Sequence, residues 1–367
     1  MKRPLQKELC CGCGACEDIC PTEAIHMVRD REGFEYPKVN GSRCVDCGRC
    51  KAVCPIQNDI QLPRGERLYL GVQAKREEIR YASSSGGFFS VLAEYVLRLH
   101  GVVYGAGYDG DMQVVHQEVT ELSQLGRIKK TKYVQSHMEG IYRSIEKYLK
   151  EKRWVLFCGT PCQTQALQLF LHGSCDKLIL ADLVCYGAPS PGVWARYVKY
   201  LERRHKGKMR DFLFRDKRNR DHGHTCSYVI HDREYVRPMY KDPYCNLYFG
   251  NYILRPSCHH CKFCMVNRSS DFTMGDFWGV ERIRADMDDG MGISLVIVHT
   301  DKAKKIWEKI KKEADWFACG KQDILQPRLR TPTAVAQKRK QFMIAYNILP
   351  FSLVMKLVER HRRSGKV

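Results

Sequence analysis

The chain has 367 residues, with 61 lysines and arginines against 41 aspartates and glutamates, for a formal net charge of +20. This length predicts two or three domains, and 44% hydrophobic with 10% aromatic residues is enough to fill ordinary cores. Disordered and fibrous classes are therefore excluded.

Nineteen cysteines are the less usual number, and nine of them precede residue 55. A secreted disulfide scaffold would be shorter and would carry a signal peptide, whereas the first residues here include no apolar segment. No stretch approaches the roughly 18 apolar residues of a membrane span. We therefore expect a cytoplasmic protein in which the clustered thiols bind metal.

The N-terminal segment holds one repeat, C-x2-C-x2-C-x3-C-P, at residues 10–21 and 44–55. Between the copies, residues 24–39 alternate apolar and polar side chains around a turn, which predicts a hairpin. The spacing is that of bacterial two-cluster ferredoxins, in which the fourth cysteine of each run binds the other cluster. Zinc ribbons place longer spacers between their cysteine pairs and fit less well. We expect cluster one on Cys10, Cys13, Cys16 and Cys54, and cluster two on Cys44, Cys47, Cys50 and Cys20. Cys11 lies outside the spacing and is expected to be a free thiol.

A polar run with Pro and Gly at residues 58–67 predicts a linker. We expect a two-cluster ferredoxin domain over residues 1–60, an oxidoreductase body over 68–320 and a basic extension over 321–367. The body alternates helical and strand patterns, which predicts a mixed α/β or α+β fold. Helices are expected at residues 84–100, 163–173 and 192–207, and strands at 101–108, 113–119, 154–158 and 177–185.

Two of these strands predict a second metal site. Cys162 follows the strand at 154–158, and Cys185 ends the strand at 177–185. If the strands are parallel, both thiols emerge at the carboxyl edge of the sheet, where open α/β sheets bind ligands. Cys258 and Cys261 add a C-x2-C pair, so a four-thiolate site is predicted. A local zinc knuckle or unconnected buried cysteines is the alternative.

Two helix starts are candidate anion cradles. Residues 83–87 (SSSGG) and 159–161 (GTP) offer free N–H groups to a phosphate or a flavin edge, although ordinary helix caps of small residues are the favoured explanation. Gly105, Gly107 and Gly110 match the dinucleotide pattern, but a strand follows them where the fingerprint needs a helix, so that fingerprint is excluded.

The motifs follow in a characteristic order: SSGG, KYVQS (132–136), VLFCGTPCQ (155–163), LVCYGAPSP (183–191), FRDK (214–217), RPSCHHCKF (255–263), SDFTMGDFWG (270–279) and GISLVIVHT (292–300). This order resembles the family of the coenzyme F420-reducing hydrogenase beta subunit, in its bacterial branch with a fused N-terminal ferredoxin. Relatives include archaeal deazaflavin dehydrogenase subunits, the deazaflavin-oxidising half of a sulfite reductase and a chlorophyll reductase. The resemblance runs from residue 10 to about residue 345.

The resemblance implies that the body binds FAD, with FMN as the alternative flavin, and a 4Fe-4S cluster. It assigns that cluster to Cys162, Cys185, Cys258 and Cys261. Position 264 is often Lys in this branch, so Cys264 is a competing fourth ligand. The residues NRDHGHT after FRDK also depart from the branch, and they place His222 and His224 either in a different substrate pocket or in a solvated loop.

The flavin contacts implied by the resemblance are Ser85, Gly86, Gly87, Lys132, Gln135, Ser136, Asp276 and Ser294, and the second helix start adds Thr160. Lys132 is the expected catalytic residue, because a cation beside the flavin would stabilise its anionic reduced ring. The expected function is that of an iron-sulfur flavoprotein oxidoreductase. It would pass electrons from the ferredoxin clusters through the body cluster to FAD, and then as hydride to a small organic substrate. The competing hypotheses are an electron-relay subunit without its own substrate site and a nucleic-acid-binding iron-sulfur protein.

The positive charge is concentrated near the C-terminus, where residues 301–367 hold 17 basic and 6 acidic residues. No nucleic-acid motif accompanies them, so no nucleic-acid partner is expected. Residues 351–363 predict a basic amphipathic helix that covers its own core, docks a redox partner such as an acidic ferredoxin, or contacts an anionic membrane face.

Overall fold

The computed structural model describes residues 6–173 and 175–363, with side chains described as far as residue 359. The N-terminal part contains the predicted hairpin, in which β1 (Ile25–Arg29) pairs antiparallel with β2 (Glu35–Val39). Its turn packs on the body, since the Gly192 amide donates to the Gly33 carbonyl at 3.0 Å. Residues 58–67 form no helix or strand.

Each cysteine repeat turns into a one-turn helix through a glycine in the left-handed region. Gly14 (φ 80°) precedes α1 (Ala15–Asp18), and Gly48 (φ 75°) precedes α2 (Arg49–Ala52). Glycine adopts this backbone conformation without steric cost, so the same residue at the same place in each copy builds two related loops.

The rest of the chain forms eleven further strands and nine further α-helices within the described residues. The strands are β3 (Leu68–Ala74), β4 (Val102–Tyr108), β5 (Val114–Val119), β6 (Val155–Gly159), β7 (Leu178–Leu183), β8 (Met209–Asp216), β9 (Thr225–Ile230), β10 (Arg233–Pro238), β11 (Phe272–Asp276), β12 (Ser294–Val298) and β13 (Ala314–Ala318). The helices are α3 (Glu77–Tyr81), α4 (Phe88–Arg98), α5 (Ile141–Lys150), α6 (Pro161–Phe170), α7 (Pro191–His205), α8 (Pro243–Phe249), α9 (Asp301–Ile310), α10 (Arg339–Ile348) and α11 (Phe351–Arg363).

The main sheet has eight strands in the order β13-β3-β12-β11-β7-β6-β4-β5. Its centre is parallel, because β4 pairs with β6, β6 with β7, and β7 with β11 in that sense, while the flanking pairs are antiparallel. The predicted mixed α/β fold is confirmed. Because β6 and β7 are parallel, their carboxyl ends lie at the same edge of the sheet, as the prediction for Cys162 and Cys185 requires.

The two faces of this sheet are covered differently. On one face, α4 and α9 pack on the strands around Leu92 and Trp307. On the other face, α5 and α6 share a core with the N-terminal segment before residue 60, which we call the module. In this core Tyr142 and Phe157 of the body lie beside Ala15 of the module. The module is therefore packed onto the sheet through a common apolar core.

A second sheet, β10-β9-β8, was not predicted from the sequence. It packs with α7 and α8 around the fully buried Trp194, whose Nε1 donates to the Met112 carbonyl at 2.6 Å. The predicted C-terminal helix is α11, and its Val354 and Met355 are buried in this same core. The apolar side of the helix is thus used within the chain. No helix in the described part of the chain is long and apolar enough to cross a membrane.

The helix predicted at 84–100 begins later than expected. It starts at Phe88, after Gly87, which has a φ of 95°. Gly86 leaves no room for a side chain, because a Cβ on it would clash with the Val72 carbonyl and lie 2.7 Å from the Ser294 nitrogen. The SSGG segment is therefore a turn wedged between β3 and β12, which explains both glycines without a ligand.

Candidate iron-sulfur and cofactor site

The module cysteines fall into two groups that match the crossed ferredoxin pattern. Cys16 interacts electrostatically with Cys10 and Cys54, and burial raises its pKa. Cys50 interacts in the same way with Cys47 and Cys20. The fourth cysteine of each repeat, Cys54 or Cys20, thus lies with the opposite copy. Cys13 joins the first group through Cys16, whereas Cys44 and Cys47 are exposed.

The four predicted ligands of the body cluster are brought together. Each of the four thiols interacts electrostatically with the other three: Cys162, Cys185, Cys258 and Cys261. Burial raises the pKa of Cys258 to about 12, while a hydrogen bond with Cys264 lowers the pKa of Cys261 to about 7. Four clustered, half-buried sulfur donors suit an iron-sulfur cluster.

Local structure presents these thiols at the sheet edge. Thr160 caps α6, so Cys162 stands in its first turn, where the Thr160 hydroxyl lies 3.1 Å from the sulfur. Strand β7 ends at Leu183, two residues before Cys185. The Ala188 amide donates to the Cys258 sulfur at 3.3 Å. Cys264 contacts Cys261 and Cys185, so it borders the group at one side.

The thiol of Cys11 links the module cysteines to the body cysteines. It interacts with Cys13 of the module and with Cys162 of the body, and the hydrogen bond with Cys13 is the largest of the effects that raise its pKa. The spacing placed Cys11 outside every ligand set and gave no sign of this position. Cys16 of the first module group also interacts with Cys50 of the second. Neighbouring thiols therefore connect the exposed Cys47 to the body.

The predicted flavin residues divide into two neighbouring groups. In the first, the Ser85 hydroxyl donates to the Ile293 carbonyl at 2.8 Å, and Gly87 follows it at the start of α4. Gly86 packs against Ser294, which pairs with Asp276 across β12 and β11. The structure thus brings together the SSGG, GDFWG and GIS segments.

The second group lies closer to the body cysteines. The Lys132 amine donates to the Lys129 carbonyl at 2.6 Å, and burial lowers its pKa to about 8. The Ser136 hydroxyl lies 2.8 Å from His116 Nδ1 and accepts from Gln163 Nε2 at 3.1 Å. Gln163 in turn accepts from the Thr160 amide at 2.9 Å. Hydrogen bonds therefore connect Ser136 to the helix cap that presents Cys162.

The side chain of Gln135 forms hydrogen bonds with the first cysteine loop and with Arg255. Its amide donates to the carbonyls of Cys11 at 2.9 Å and Gly12 at 3.2 Å, and its oxygen accepts from Arg255 at 2.9 Å. The predicted contact of Gln135 with a flavin stays a prediction. In the described conformation this side chain ties the body to the first cysteine loop.

Two cations in the FRDK segment received no role from the sequence. Lys217 is fully buried and donates to the carbonyls of Arg80 at 2.9 Å and Ser85 at 2.6 Å. Burial lowers its pKa to about 7. Arg215 forms an ion pair with Asp276. His222, from the stretch that departs from the branch, lies 2.8 Å from Asp288 and its side chain is 45% exposed.

An ionisable contact between module and body predicts a pH-dependent stability. His137 Nδ1 lies 2.8 Å from Glu35 of β2, and its Nε2 lies 3.1 Å from Glu139. The hydrogen bond with Glu35 is the main cause that raises the pKa of His137 from 6.5 to about 9. Stability from a raised pKa is fully present below the unfolded value and is lost as pH rises through the folded value.

We therefore expect the free energy of unfolding to fall between pH 6.5 and 9, and His137→Gln to remove this part of the fall. Urea denaturation at several pH values measures it, with the exposed His100→Gln as control. Identical pH profiles for wild type and H137Q would contradict the contact.

The comparisons with known proteins follow this division of the chain. Residues 9–58 match the family model of the 4Fe-4S dicluster domain. Residues 152–318 match the model that describes the C terminus of the coenzyme F420 hydrogenase/dehydrogenase beta subunit. The chain is therefore an iron-sulfur redox protein with a dicluster domain. Over residues 152–318 the body matches the C-terminal region of the F420 hydrogenase/dehydrogenase beta-subunit family, which confirms the resemblance seen in the motifs.

Among solved structures, one similar chain comes from a xenon-derivatised F420-reducing NiFe hydrogenase complex of Methanosarcina barkeri. It matches at 15% identity with a TM-score of 0.46, over 78% of this chain and 91% of that chain. A comparison with curated proteins found no match.

Proposed function

We propose that this chain is a flavin-dependent iron-sulfur oxidoreductase, with two clusters in the module, one in the body and an FAD beside it. The observation that carries the proposal is the series of thiols through Cys11, which connects the dicluster domain to the four body cysteines. If the module served only to bind other proteins, its cysteines would not need to lie next to the cysteines of the body.

Buried cations support the flavin. Lys217 is fully buried, and the hydrogen bonds of its amine go to main-chain carbonyls. Lys132 likewise donates to carbonyls of its own segment. A buried cation without a hydrogen-bonded carboxylate favours an anionic ligand, and a flavin with its pyrophosphate is one. A flavin bound there would supply the exchange between one-electron and two-electron chemistry.

In this proposal the chain's own residues hold and polarise the cofactor. Ser85 and Ser294 lie together at the start of β12, where the Ser85 hydroxyl donates to the Ile293 carbonyl. Lys132 holds a positive charge near β6, since its amine interacts electrostatically with Cys158 of that strand. A flavin site needs such hydrogen-bonding groups and a nearby positive charge.

Metal and flavin analysis of anaerobically purified protein tests the proposal. Three 4Fe-4S clusters predict about twelve iron atoms per chain, together with about one flavin. Flavin-free protein with about eight iron atoms would overturn it. Offering candidate organic acceptors to the reduced chain then separates an enzyme from a relay subunit, because a relay would reduce none of them.

Lys132 is expected to set the reduction potential of the flavin. Replacing Lys132 by Gln should leave the flavin bound but lower its potential, because the cation stabilises the anionic reduced ring. In the wild type the same contribution should fade above pH 8, since the pKa of Lys132 is about 8. A spectroelectrochemical titration measures both effects. Lys129→Gln in the same segment is the control, and equal potentials in K132Q and wild type would contradict the role.

We also propose that an external redox protein docks at the surface of cluster two. Arg43, Arg49 and Lys51 are exposed around the exposed Cys44, and Val45 is 63% exposed beside them. An acidic one-electron carrier fits such a surface, since complementary charge accelerates docking. The basic tail is the competing surface.

Charge reversal distinguishes the two surfaces. R43E/R49E/K51E should slow reduction by a small acidic ferredoxin about tenfold at low salt, while reduction by dithionite stays unchanged. The matched control is K338E/K340E/K356E, which reverses three exposed charges of the tail. Slower reduction of the control alone, measured by stopped flow, would move the docking site to the tail.

A further inference from the structure

Arg255 is a fully buried arginine that joins the body to the first cysteine loop. Its guanidinium donates to the carbonyls of Cys10 and Glu35, each at 2.7 Å, and to the side-chain oxygen of Gln135 at 2.9 Å. It lies over the ring of Tyr36 at 4.2 Å. One side chain of the body therefore holds both the cysteine loop and the hairpin of the module.

Among the side chains that the structure describes, the charge of Arg255 has no anionic partner. No carboxylate within 6–173 and 175–363 forms a salt bridge with it, and its acceptors are carbonyl and amide oxygens. Its closest sulfur contact is the Cys10 thiol, at 3.9 Å. A buried cation without a counter-charge is strongly unfavourable. A bound anion beside Arg255 would therefore explain why an arginine is buried here.

The same guanidinium also acts on the body cysteines. It interacts electrostatically with Cys258, which follows it by three residues. The Cys258 amide donates to the Arg255 carbonyl at 2.9 Å, so the first body cysteine is fixed relative to this arginine. Arg255 thus stands between one predicted ligand of cluster one and one predicted ligand of the body cluster.

The loop is shaped to accept this side chain. A Cβ at Gly12 would lie 2.5 Å from the guanidinium carbon, so only glycine lets the loop pass this closely. Gly12 also has a φ of 66°, in the left-handed region that glycine adopts freely. Gln135 closes the contact from the other side, because it bonds both the loop and Arg255.

We propose that Arg255 is a positioning residue, which locks the Cys10–Gly12 loop onto the body and places one positive charge between the cluster-one and body-cluster sites. The inference rests on the proposed function, since it assumes that both sites hold clusters. A 4Fe-4S cluster on four thiolates carries a net charge of about −2, which supplies the missing counter-charge. Arg255 then favours the more negative, reduced form of cluster one and keeps the module from moving as a separate body.

The test compares full-length holoproteins purified anaerobically: wild type, R255Q, R255K and the control R196Q. Arg196 also stacks on a tyrosine and donates to a carbonyl, but both contacts are with Tyr346. The readouts are the iron content and the midpoint potential of each cluster, followed by electron paramagnetic resonance during a redox titration. These potentials respond to charge and hydrogen bonds around the cluster, whereas a purely structural loss would not shift them selectively.

We expect R255Q to lower the potential of cluster one while cluster two and R196Q stay at wild-type values. If the loop loosens further, R255Q binds cluster one about tenfold more weakly, with loss of that signal alone. R255K keeps the charge but cannot reach three acceptors at once, so its potential should lie between the two. G12A keeps the arginine in the chain, but its Cβ would displace the guanidinium from the loop, so it should shift cluster one in the same direction as R255Q.

Unchanged potentials of cluster one and the body cluster in R255Q would overturn the inference, as would equal shifts in all clusters. If R255Q does not fold, R255K and G12A decide the question by the same measurement. Failure of the proposed function has a different signature, because wild type itself would then contain only about eight iron atoms or no flavin.

Discussion

Replacing Cys185 by Ala is expected to lower the iron content of the chain from about twelve atoms to about eight. Cys185 interacts with Cys162, Cys258 and Cys261 at once, and burial is the main cause that raises its pKa. Loss of one thiolate leaves three sulfur donors where a 4Fe-4S cluster needs four. The eight iron atoms of the dicluster domain should remain, because none of its predicted ligands is altered.

Cys264→Ala is the matched control. Cys264 contacts Cys261 and Cys185 at the border of the group, and C264A should keep about twelve iron atoms. Its hydrogen bond with Cys261 is lost, so the potential of the body cluster should change while the iron stays. The variant Cys261→Ala completes the test. If it keeps its iron while C264A loses iron, the ligand set is contradicted and Cys264 is the fourth ligand.

The sequence could predict those parts of the site that lie close together in the chain or follow from strand direction. The repeat at residues 10–21 and 44–55 carries its own ligand pattern. The parallel pairing of β6 with β7 then brings Cys162 and Cys185 to one edge. These inferences need only local spacing and a single rule of sheet geometry, and the structure brings the named cysteines together. That these cysteines bind the clusters stays a prediction.

Other parts of the site depend on contacts that no local pattern records. Arg255 and Cys10 are 245 residues apart, and Lys217 meets Ser85 across 132 residues. Their motifs, RPSC and FRDK, were visible, but a basic residue in a motif does not reveal which carbonyls it reaches. The late start of α4 was missed for a related reason, because the turn at Gly86 is imposed by Val72 and Ser294 of other strands.

The net charge of +20 takes on a more specific meaning once the cations are placed. Exposed cations of the tail and of the cluster-two surface bear on docking. Arg255 and Lys217 are fully buried, and their acceptors are main-chain and amide oxygens. A protein tolerates such groups where a bound anion compensates for the lost solvation. The proposed clusters and flavin are anions of this kind, so cofactor loading and folding stability should be coupled in this chain.

Replacing Arg268 by Met is expected to reduce the free energy of unfolding by about 3–5 kcal/mol, because it leaves a buried carboxylate unpaired. Arg268 and Asp182 side chains are 4% and 2% exposed and lie 2.8 Å apart. Arg268 also donates to the Met265 carbonyl at 3.1 Å, so it fixes the loop that follows Cys261 and Cys264 onto β7. Urea denaturation of the holoprotein measures the change. Arg284→Met removes an exposed pair with Asp286 and should leave the midpoint unchanged.

The double variant R268M/D182N separates the two roles of this arginine, because the amide oxygen of Asn can still accept from the buried hydroxyls of Ser270 and Thr273. Removing both charges abolishes the buried unpaired carboxylate, so most of the lost stability should return. The Met265 carbonyl still lacks its donor, and the body cysteines should therefore bind iron less firmly than in wild type even after stability recovers. If the double variant regains both stability and full iron content, the pair serves the fold alone. If R268M is as stable as R284M, the buried ion pair does not form as described.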